Sequence, residues 1–199
     1  ANDAGAANLI LWLTKNYDNY TYNYCLSGPA IKIFNDNIRN FHNLSIDEVF
    51  KCTDFIVTGT SLYSDLEFTA REKAVAKNIF NAAVVDHWVN YEIRFIRNER
   101  MVLPNEIWVF DNSAFKKAEN LFKNIVIRQF PNFYVVELAN KIRTKKLIKS
   151  SNDKKVLYVL EPLRQSWLKN KAFGEIEVLD FFLENISRLD KKNSFDIKL

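Results

Sequence analysis

The fold is decided by residues 54–85, whose sequence is DFIVTGTSLYSDLEFTAREKAVAKNIFNAAVV. The run DFIV at 54–57 is β-branched and aromatic, which predicts a strand, and TGTS at 58–61 closes that strand with small residues. Residues 65–80 then carry apolar side chains at helical spacing, and residues 82–85 form a second short apolar run. A strand, a turn, a helix and a second strand in this order predict a parallel sheet with a crossover helix.

The alternation of short strands and helices continues on both sides of this stretch. Because parallel strands need helical crossovers, the pattern predicts helices on both faces of the sheet. The fold class is therefore α/β, a Rossmann-like three-layer sandwich with a mostly parallel sheet. The further predicted elements are a turn at 2–8, a helix at 9–14, a strand at 20–26, a helix starting at Pro29, a helix with a capping box at Ser45 and Glu48, strands at 106–110 and 125–127, a helix capped by Asn112 or Ser113, and a helix at 134–142.

A basic stretch at residues 141–155 predicts a division of the chain, because it contains little apolar material. We expect an N-terminal Rossmann-like domain over residues 1–147 and the opening βαβ unit of a second such domain over residues 154–199. This unit is too small to bury its own faces. It is expected to dock on the first domain, to form a homodimer with a second chain, or to need residues beyond the end of the sequence. Its predicted elements are a strand at 156–160, a helix at 174–189 and a strand at 195–199.

Composition excludes several classes of protein. The 199 residues include only four glycines and four prolines and are 48% hydrophobic, so the chain has the material for a core and is neither collagen-like nor of low complexity. The formal charge of +4 comes from 28 basic and 24 acidic residues of mixed distribution, which does not require a nucleic-acid partner. Cys25 and Cys52 have neither Cys-x-x-Cys nor metal-ligand spacing and are interpreted as buried thiols.

The sequence also lacks the marks of membrane insertion or secretion. No run reaches the 18 or so apolar residues that a spanning helix needs, and the N-terminus has no signal-like core. We therefore expect a cytoplasmic protein. Because the chain begins at Ala1 rather than Met and stops within a predicted strand, we also expect a fragment.

Glycine-containing turns indicate where a ligand could bind. In an open parallel sheet, ligands bind beyond the carboxyl ends of the strands. Gly5, Gly28 and Gly59 are predicted in turns there, where backbone amides can meet an anionic or polyhydroxylated ligand. Each glycine could equally serve only to permit a tight turn, and none belongs to a dinucleotide-binding or Walker pattern.

The most informative segment is DHWVNY at residues 86–91, which follows a predicted strand. It combines an acid, an imidazole, an amide and rings that can stack on a sugar. With a reference pKa near 6.5, His87 is the natural general base, and Asp86 or Glu67 could orient it. In the structural alternative, Asp86 and His87 cap the next helix and Trp88 fills the core. His42 is expected to be a surface residue.

The turn at 58–61 is the second candidate site, with Glu67 early in the following helix. Its hydroxyls could bind sugar or phosphate, whereas Glu67 could instead interact only with the helix dipole. Three arginines could reach phosphate or be solvated (Arg94, Arg97 and Arg100). No metal site or cofactor is predicted, because histidine and cysteine are too few and too scattered. A Ser-His-Asp hydrolase is poorly supported because the chain has no Gly-x-Ser-x-Gly elbow.

An ordered set of short motifs resembles a known family. The motifs are DAGAAN at 3–8, SGPA at 27–30, TGTS at 58–61 with Glu67, DHWVNY at 86–91 with Arg94 and Phe95, LPNEIWV at 103–109 and LYVLEP at 157–162. Together they resemble bacterial surface-polysaccharide proteins of the GT-B glycosyltransferase type, distant relatives of lipid A disaccharide synthase and of the non-hydrolysing UDP-sugar 2-epimerases. The resemblance spans nearly the whole chain.

The resemblance implies two Rossmann-like domains that face a cleft, with a nucleotide-sugar donor on the C-terminal domain and a carbohydrate acceptor on the N-terminal one. In that scheme His87 is the base, assisted by Asp86 and Glu67, and Glu161 lies on the donor side. The expected acceptor-side residues are Gly5, Asn8, Gly59, Thr60, Ser61, Asn90 and Arg94. A peripheral association with the inner membrane is also implied. Because most of the donor domain is absent, this polypeptide is expected to be inactive by itself.

Two alternatives remain open at this point. The first is a sugar-nucleotide epimerase or hydrolase of the same fold. The second is a non-catalytic, flavodoxin-like module that binds a small ligand or a partner through the same turns.

Overall fold

A computed structural model of the chain describes residues 1–144, 158–160 and 174–189. The chain forms two compact units, Ala1–Lys146 and Leu147–Leu199. We call them unit 1 and unit 2. Among the residues described, no helix is both long and apolar enough to cross a bilayer.

Unit 1 is a parallel β-sheet with helices on both faces. Its four main strands pair in the order β1 (Phe55–Thr58), β2 (Phe80–Val84), β5 (Glu106–Val109) and β6 (Val126–Gln129), and every pair is parallel. A separate antiparallel hairpin consists of β3 (Ile96–Arg97) and β4 (Arg100–Met101). This topology confirms the predicted Rossmann-like α/β class. The elements are α1 (Ala4–Asn16), α2 (Pro29–Asn35), α3 (Ile46–Val49), β1 (Phe55–Thr58), α4 (Leu66–Ala76), β2 (Phe80–Val84), a 3₁₀ helix (Glu92–Phe95), β3 (Ile96–Arg97), β4 (Arg100–Met101), β5 (Glu106–Val109), α5 (Asn112–Leu121), β6 (Val126–Gln129) and α6 (Phe133–Thr144).

The core of unit 1 has two layers, one on each face of the sheet. Alternate residues of a strand point to opposite faces, so Val84 packs against α1 and α2 whereas Ala83 belongs to the layer that contains Phe95 and α5. Ala82, Ala83 and Val84 have no exposed surface. Because alanine is small, it lets the flanking helices approach the central strand closely. The carboxyl edge of the sheet, where the parallel strands end, is therefore held firmly between these helices.

Helix α1 begins earlier than the sequence predicts. Asp3 has extended backbone angles and is the N-cap residue, so the helix starts at Ala4 rather than at residue 9. The predicted turn at 2–8 is thus wrong from Ala4 onward, because the alanine-rich run that includes Gly5 adopts helical geometry. Asn8 consequently lies on the helix, where its side-chain amide donates to the Ala4 carbonyl at 2.9 Å.

The strand predicted at 20–26 does not form. Only an isolated bridge joins Tyr24 to Asn43 in this segment. The side chain of Asn43 accepts a hydrogen bond from the Leu26 amide at 2.7 Å and donates one to the Leu26 carbonyl at 3.0 Å. The aromatic ring of Tyr24 packs on Phe34, with centroids 5.1 Å apart. An asparagine side chain therefore satisfies the backbone groups that a neighbouring strand would otherwise use.

Local capping and cysteine burial give further comparisons. The capping box of Ser45 and Glu48 is present as predicted. Helix α5 is capped by Asp111, whose side chain accepts from the Ala114 amide, so the prediction of a cap at Asn112 or Ser113 is wrong by one or two residues. Cys25 is half-buried and Cys52 is exposed, which corrects the prediction that both thiols are buried.

Unit 2 contains the amphipathic helix α7 (Glu175–Leu189), as predicted. Its Phe182 ring lies 4.6 Å from the ring of Tyr158, measured between centroids. Residues 158–160 do not form a strand, so the predicted strand at 156–160 is wrong for them. The remainder of that prediction, Glu161 and the predicted strand at 195–199 all lie outside the described residues.

Candidate functional site

The candidate site lies at the carboxyl edge of the sheet in unit 1. Three chain segments meet there: residues 2–5 at the start of α1, residues 59–61 after β1, and residues 86–91 after β2. The Ser61 hydroxyl donates to the Asp3 carboxylate at 2.9 Å, which joins the first segment to the second. The sequence argument that these turns gather at one edge therefore agrees with the geometry.

Glu67 holds two of these segments together from beneath. Its carboxylate accepts hydrogen bonds from the backbone amides of Asn2 and Ser61, both at 2.9 Å, and only 2% of the residue is exposed. A Cβ atom at Gly59 would overlap with this carboxylate and would lie 2.8 Å from the Cβ of Ala6. Glycine is thus required at position 59 for close packing. In this structure Glu67 positions the two segments, and its predicted catalytic role stays a prediction.

Three arginines fix the loop after β1 by its main chain. Arg71 donates to the Gly59 carbonyl at 3.0 Å, Arg94 to the Thr60 carbonyl at 2.9 Å, and Arg97 to the Ser61 carbonyl at 2.6 Å. These are consecutive carbonyl groups, so the loop is held at each residue. Arg71 and Arg94 are 1% and 4% exposed. Burial lowers the pKa of Arg71 to about 10, although Glu67 opposes this change, and both guanidinium groups remain charged at neutral pH.

Arg94 and Asp86 form a buried ion pair that connects the loops after β1 and β2. Their nearest charged atoms are 3.8 Å apart, with side-chain exposures of 5% and 8%. Burial lowers the pKa of Arg94, and the negative charge of Asp86 partly opposes that shift. The Arg94 guanidinium thus contacts Thr60 and Asp86 in this structure, and its role as a ligand contact stays a prediction.

Asp86 also occupies the amino-terminal end of α1. The three atoms nearest to a Cβ placed on Gly5 all belong to the Asp86 side chain, and one of its carboxylate oxygens would overlap with that Cβ. A negative charge at this end of a helix is favoured by the helix dipole. The position where an anionic ligand would bind to α1 is therefore taken by a carboxylate of the protein itself.

His87 is exposed on the loop that follows β2. Within the described part of the chain its imidazole forms no hydrogen bond or ion pair. The structure thus places His87 at the predicted edge but does not join it to its predicted orienting partners, because Asp86 is paired with Arg94 and Glu67 is buried beneath the loop after β1.

Trp88 is exposed and yet held in place from two sides. Its indole Nε1 donates to the Asp111 carboxylate at 2.9 Å, and the Lys117 ammonium donates to its backbone carbonyl. Despite these contacts, 58% of the residue is exposed. The structural alternative in which Trp88 fills the core is therefore wrong.

The remainder of the loop is shaped by Asn90 and Tyr91. Asn90 has a φ of 59°, in the left-handed region that asparagine tolerates better than most residues. Tyr91 is 2% exposed, and its hydroxyl has no hydrogen-bond partner among the residues that the structure describes. Burial raises the pKa of this hydroxyl, and the charge of Asp111 raises it further. The Lys117 ammonium lies 5.6 Å from the centroid of the Tyr91 ring, so Tyr91 supports the same cluster as Trp88.

The predicted site residues separate into two groups by exposure. His87 and Gly5 are exposed, and Asn8 and Asn90 are half-buried. Thr60 and Ser61 are 1% and 2% exposed, and the Thr60 hydroxyl donates to the Val84 carbonyl at 3.1 Å. The buried group is Gly59, Thr60, Ser61, Glu67 and Arg94. The catalytic role expected of Glu67 and the ligand contacts expected of the other four stay predictions.

Sequence reasoning missed the anchors of Trp88. Asp111 and Lys117 come from α5 and its cap, and no spacing rule connects them to residue 88. The tryptophan itself lay within the motif that had been singled out, and its position after a strand was the available signal. In the part of the chain that the structure describes, no three metal-ligating side chains converge.

Comparisons with known protein families, with curated proteins and with solved structures find no match for this chain.

Proposed function

We propose that unit 1 is the acceptor-binding domain of a GT-B-type glycosyltransferase, with His87 as the general base. The observation that carries this proposal is an exposed imidazole at the carboxyl edge of a parallel sheet, the usual ligand-binding edge of this architecture. In the reaction, an acceptor hydroxyl attacks the anomeric carbon of a nucleotide-sugar. The oxygen–carbon bond forms, the nucleoside diphosphate leaves, and His87 takes the hydroxyl proton.

The surroundings of His87 favour such a role through rigidity. The loop before it is fixed by Asp86 and Arg94, and the residue after it is fixed by Asp111. A base that is held near the attacking hydroxyl contributes typically 10²- to 10⁴-fold to a rate. Of the side chains in residues 1–144, 158–160 and 174–189, none has to be displaced before the imidazole can accept a proton.

The chain offers a matched test because it contains only two histidines, His42 and His87, and both are exposed. Proton NMR resolves two imidazole signals, which His42→Ala and His87→Ala assign. We expect addition of methyl glycosides and short oligosaccharides to shift the His87 signal in a saturable manner and to leave the His42 signal in place. If the His42 and His87 signals respond equally, or neither responds to any glycoside, the proposal fails.

A transfer assay then separates an enzyme from a binding module. The full-length gene product, supplied with radiolabelled nucleotide-sugars and the glycosides that shift His87, is expected to transfer sugar. His87→Ala should lower the rate at least 10²-fold, whereas His42→Ala should leave it within about threefold. Binding without transfer would favour the non-catalytic module, an alternative supported by the absence of an orienting partner for His87 among the described residues.

A further inference from the structure

Trp88 has an arrangement that a purely structural tryptophan does not need. A large aromatic side chain normally contributes stability through burial, and exposure of 58% forfeits much of that contribution. Here the indole is instead fixed by Asp111 and its carbonyl by Lys117. Both anchors belong to a different element from Trp88. The ring therefore has a defined orientation while one part of its surface faces solvent.

A fixed and exposed aromatic ring is suited to stacking against a flat ligand. Ordering the side chain in advance removes an entropic cost that binding would otherwise incur. Two ligand classes present a flat face of suitable size, namely a sugar ring and a nucleobase. The charges around the carboxyl edge distinguish between them.

The edge is poorly equipped for the phosphates of a nucleotide. The guanidinium groups of Arg71, Arg94 and Arg97 donate to main-chain carbonyls, and Arg97 is also paired with Asp65 at 3.1 Å. At the amino-terminal end of α1, the Asp86 carboxylate occupies the place where a phosphate would bind. The Lys117 ammonium beside Trp88 is likewise engaged, because it donates to the Trp88 backbone carbonyl. These features disfavour an anion, and none of them affects an uncharged hydroxylated ring.

We propose that Trp88 is the stacking platform for the ring of an uncharged carbohydrate, immediately beside His87. This inference rests on the proposed function and narrows it, because it assigns unit 1 to a neutral acceptor rather than to a nucleotide or a sugar phosphate. Carboxylates such as that of Asp111 can accept hydrogen bonds from the hydroxyls of such a ring.

The chain contains four tryptophans, so fluorine NMR of protein labelled with 5-fluorotryptophan gives four signals. Trp88→Phe identifies one of them. The probes are the methyl glycosides of glucose, galactose and N-acetylglucosamine, with glucose 6-phosphate and UDP as charged counterparts. At least one methyl glycoside should shift the Trp88 signal saturably, and the charged compounds should bind at least about tenfold more weakly.

Variants at the same surface sharpen this test. Trp88→Ala should weaken glycoside binding at least about tenfold, whereas Trp88→Phe, which keeps a ring, should retain most of it. Val89→Ala is the matched control, because Val89 is also exposed, at 48%, and should leave binding within about threefold. Urea denaturation of each variant checks that it is folded.

Two results would overturn the proposal: a Trp88 signal that no methyl glycoside moves, or a Trp88 signal that UDP shifts with an affinity equal to that of the glycosides. Failure of the proposed function has a different signature. If glycosides shift the Trp88 signal but His87→Ala leaves the transfer rate unchanged, the stacking role of Trp88 is supported and the assignment of His87 as the base is refuted. If glycosides shift the His87 signal but not the Trp88 signal, the assignment of His87 is retained and the stacking role of Trp88 is refuted.

Discussion

Replacing Gly5 by alanine should have opposite effects on stability in two backgrounds. In the native protein the added Cβ collides with the Asp86 carboxylate, and the three nearest atoms all belong to that side chain. Overpacking of this kind costs about 1–3 kcal/mol. If Asp86 moves aside instead, the chain loses its favourable interaction with the end of α1 and weakens the ion pair with Arg94.

In an Asp86→Ala background the same substitution has no obstacle. Gly5 lies within α1 and is exposed, and its φ is not positive, so alanine fits the backbone there. Alanine is favoured over glycine in a helix by up to about 1 kcal/mol. Gly5→Ala should therefore change from destabilising to neutral or stabilising, with a coupling energy of about 2 kcal/mol.

The measurement is a double-mutant cycle by urea denaturation. Trp167 belongs to unit 2, so every variant carries Trp167→Phe and fluorescence reports only on the tryptophans of unit 1. The cycle is informative where all four proteins keep the same m-value. If Gly5→Ala is harmless in the native background, or costs the same with and without Asp86, the assigned contact between Gly5 and Asp86 is refuted.

Three further predictions concern neighbouring groups. Asp111→Ala should destabilise unit 1 by about 1 kcal/mol because the α5 cap is lost, whereas Asp111→Asn can still cap the helix and should cost clearly less. Equal losses of stability for the two variants in urea denaturation would contradict the cap. Burial raises the pKa of Glu106, but hydrogen bonds from Arg128 and Trp108 outweigh it, so the pKa lies below its ordinary value. The resulting stabilisation is present above the ordinary pKa of Glu106 and is lost as the pH falls through the lowered pKa. Arg128→Gln should raise the pKa of Glu106, measured by carbon NMR, and should reduce the loss of stability in acid. An unchanged Glu106 titration would exclude the pairing with Arg128. The side chain and the backbone of Ser45 lower the pKa of Glu48 by hydrogen bonding, so Ser45→Ala should raise this pKa. An unaltered Glu48 titration would contradict the capping box.

Local patterns in the sequence were sufficient for the sheet and several helix ends. The run at 54–57 and the alanine-rich run at 82–85 predicted β1 and β2 because β-branched and small apolar residues suit a buried parallel strand. The capping box at Ser45 depends only on residues three apart, so spacing alone predicts it. The segment at 20–26 has an equally strand-like pattern, but the backbone groups of Leu26 pair with the side chain of Asn43, which no local pattern reveals.

The sequence indicates which segments meet at the carboxyl edge, but it does not indicate which of their side chains are buried. An acidic or basic residue near a strand end has the same sequence appearance whether it meets a ligand or supports a loop. Glu67 was predicted to assist the base and Arg94 to contact a ligand, yet both are buried, at 2% and 4% exposure, and pair with main-chain groups. Trp88 shows the opposite case: its exposure depends on the distant anchor Asp111, so the sequence left platform and core as alternatives.

The distribution of charge at the carboxyl edge has a consequence that does not depend on catalysis. Arg71 and Arg94 lie beneath the loop after β1 and satisfy its carbonyl groups, so positive charge is placed inside, where it is shielded from a ligand. The side chains that remain accessible there include the imidazole of His87 and the ring of Trp88. A neutral carbohydrate requires no cation but gains from a rigid ring and from hydrogen-bond acceptors. For the proposed function, the buried arginines that fix the loop therefore also favour a neutral ligand over an anionic one.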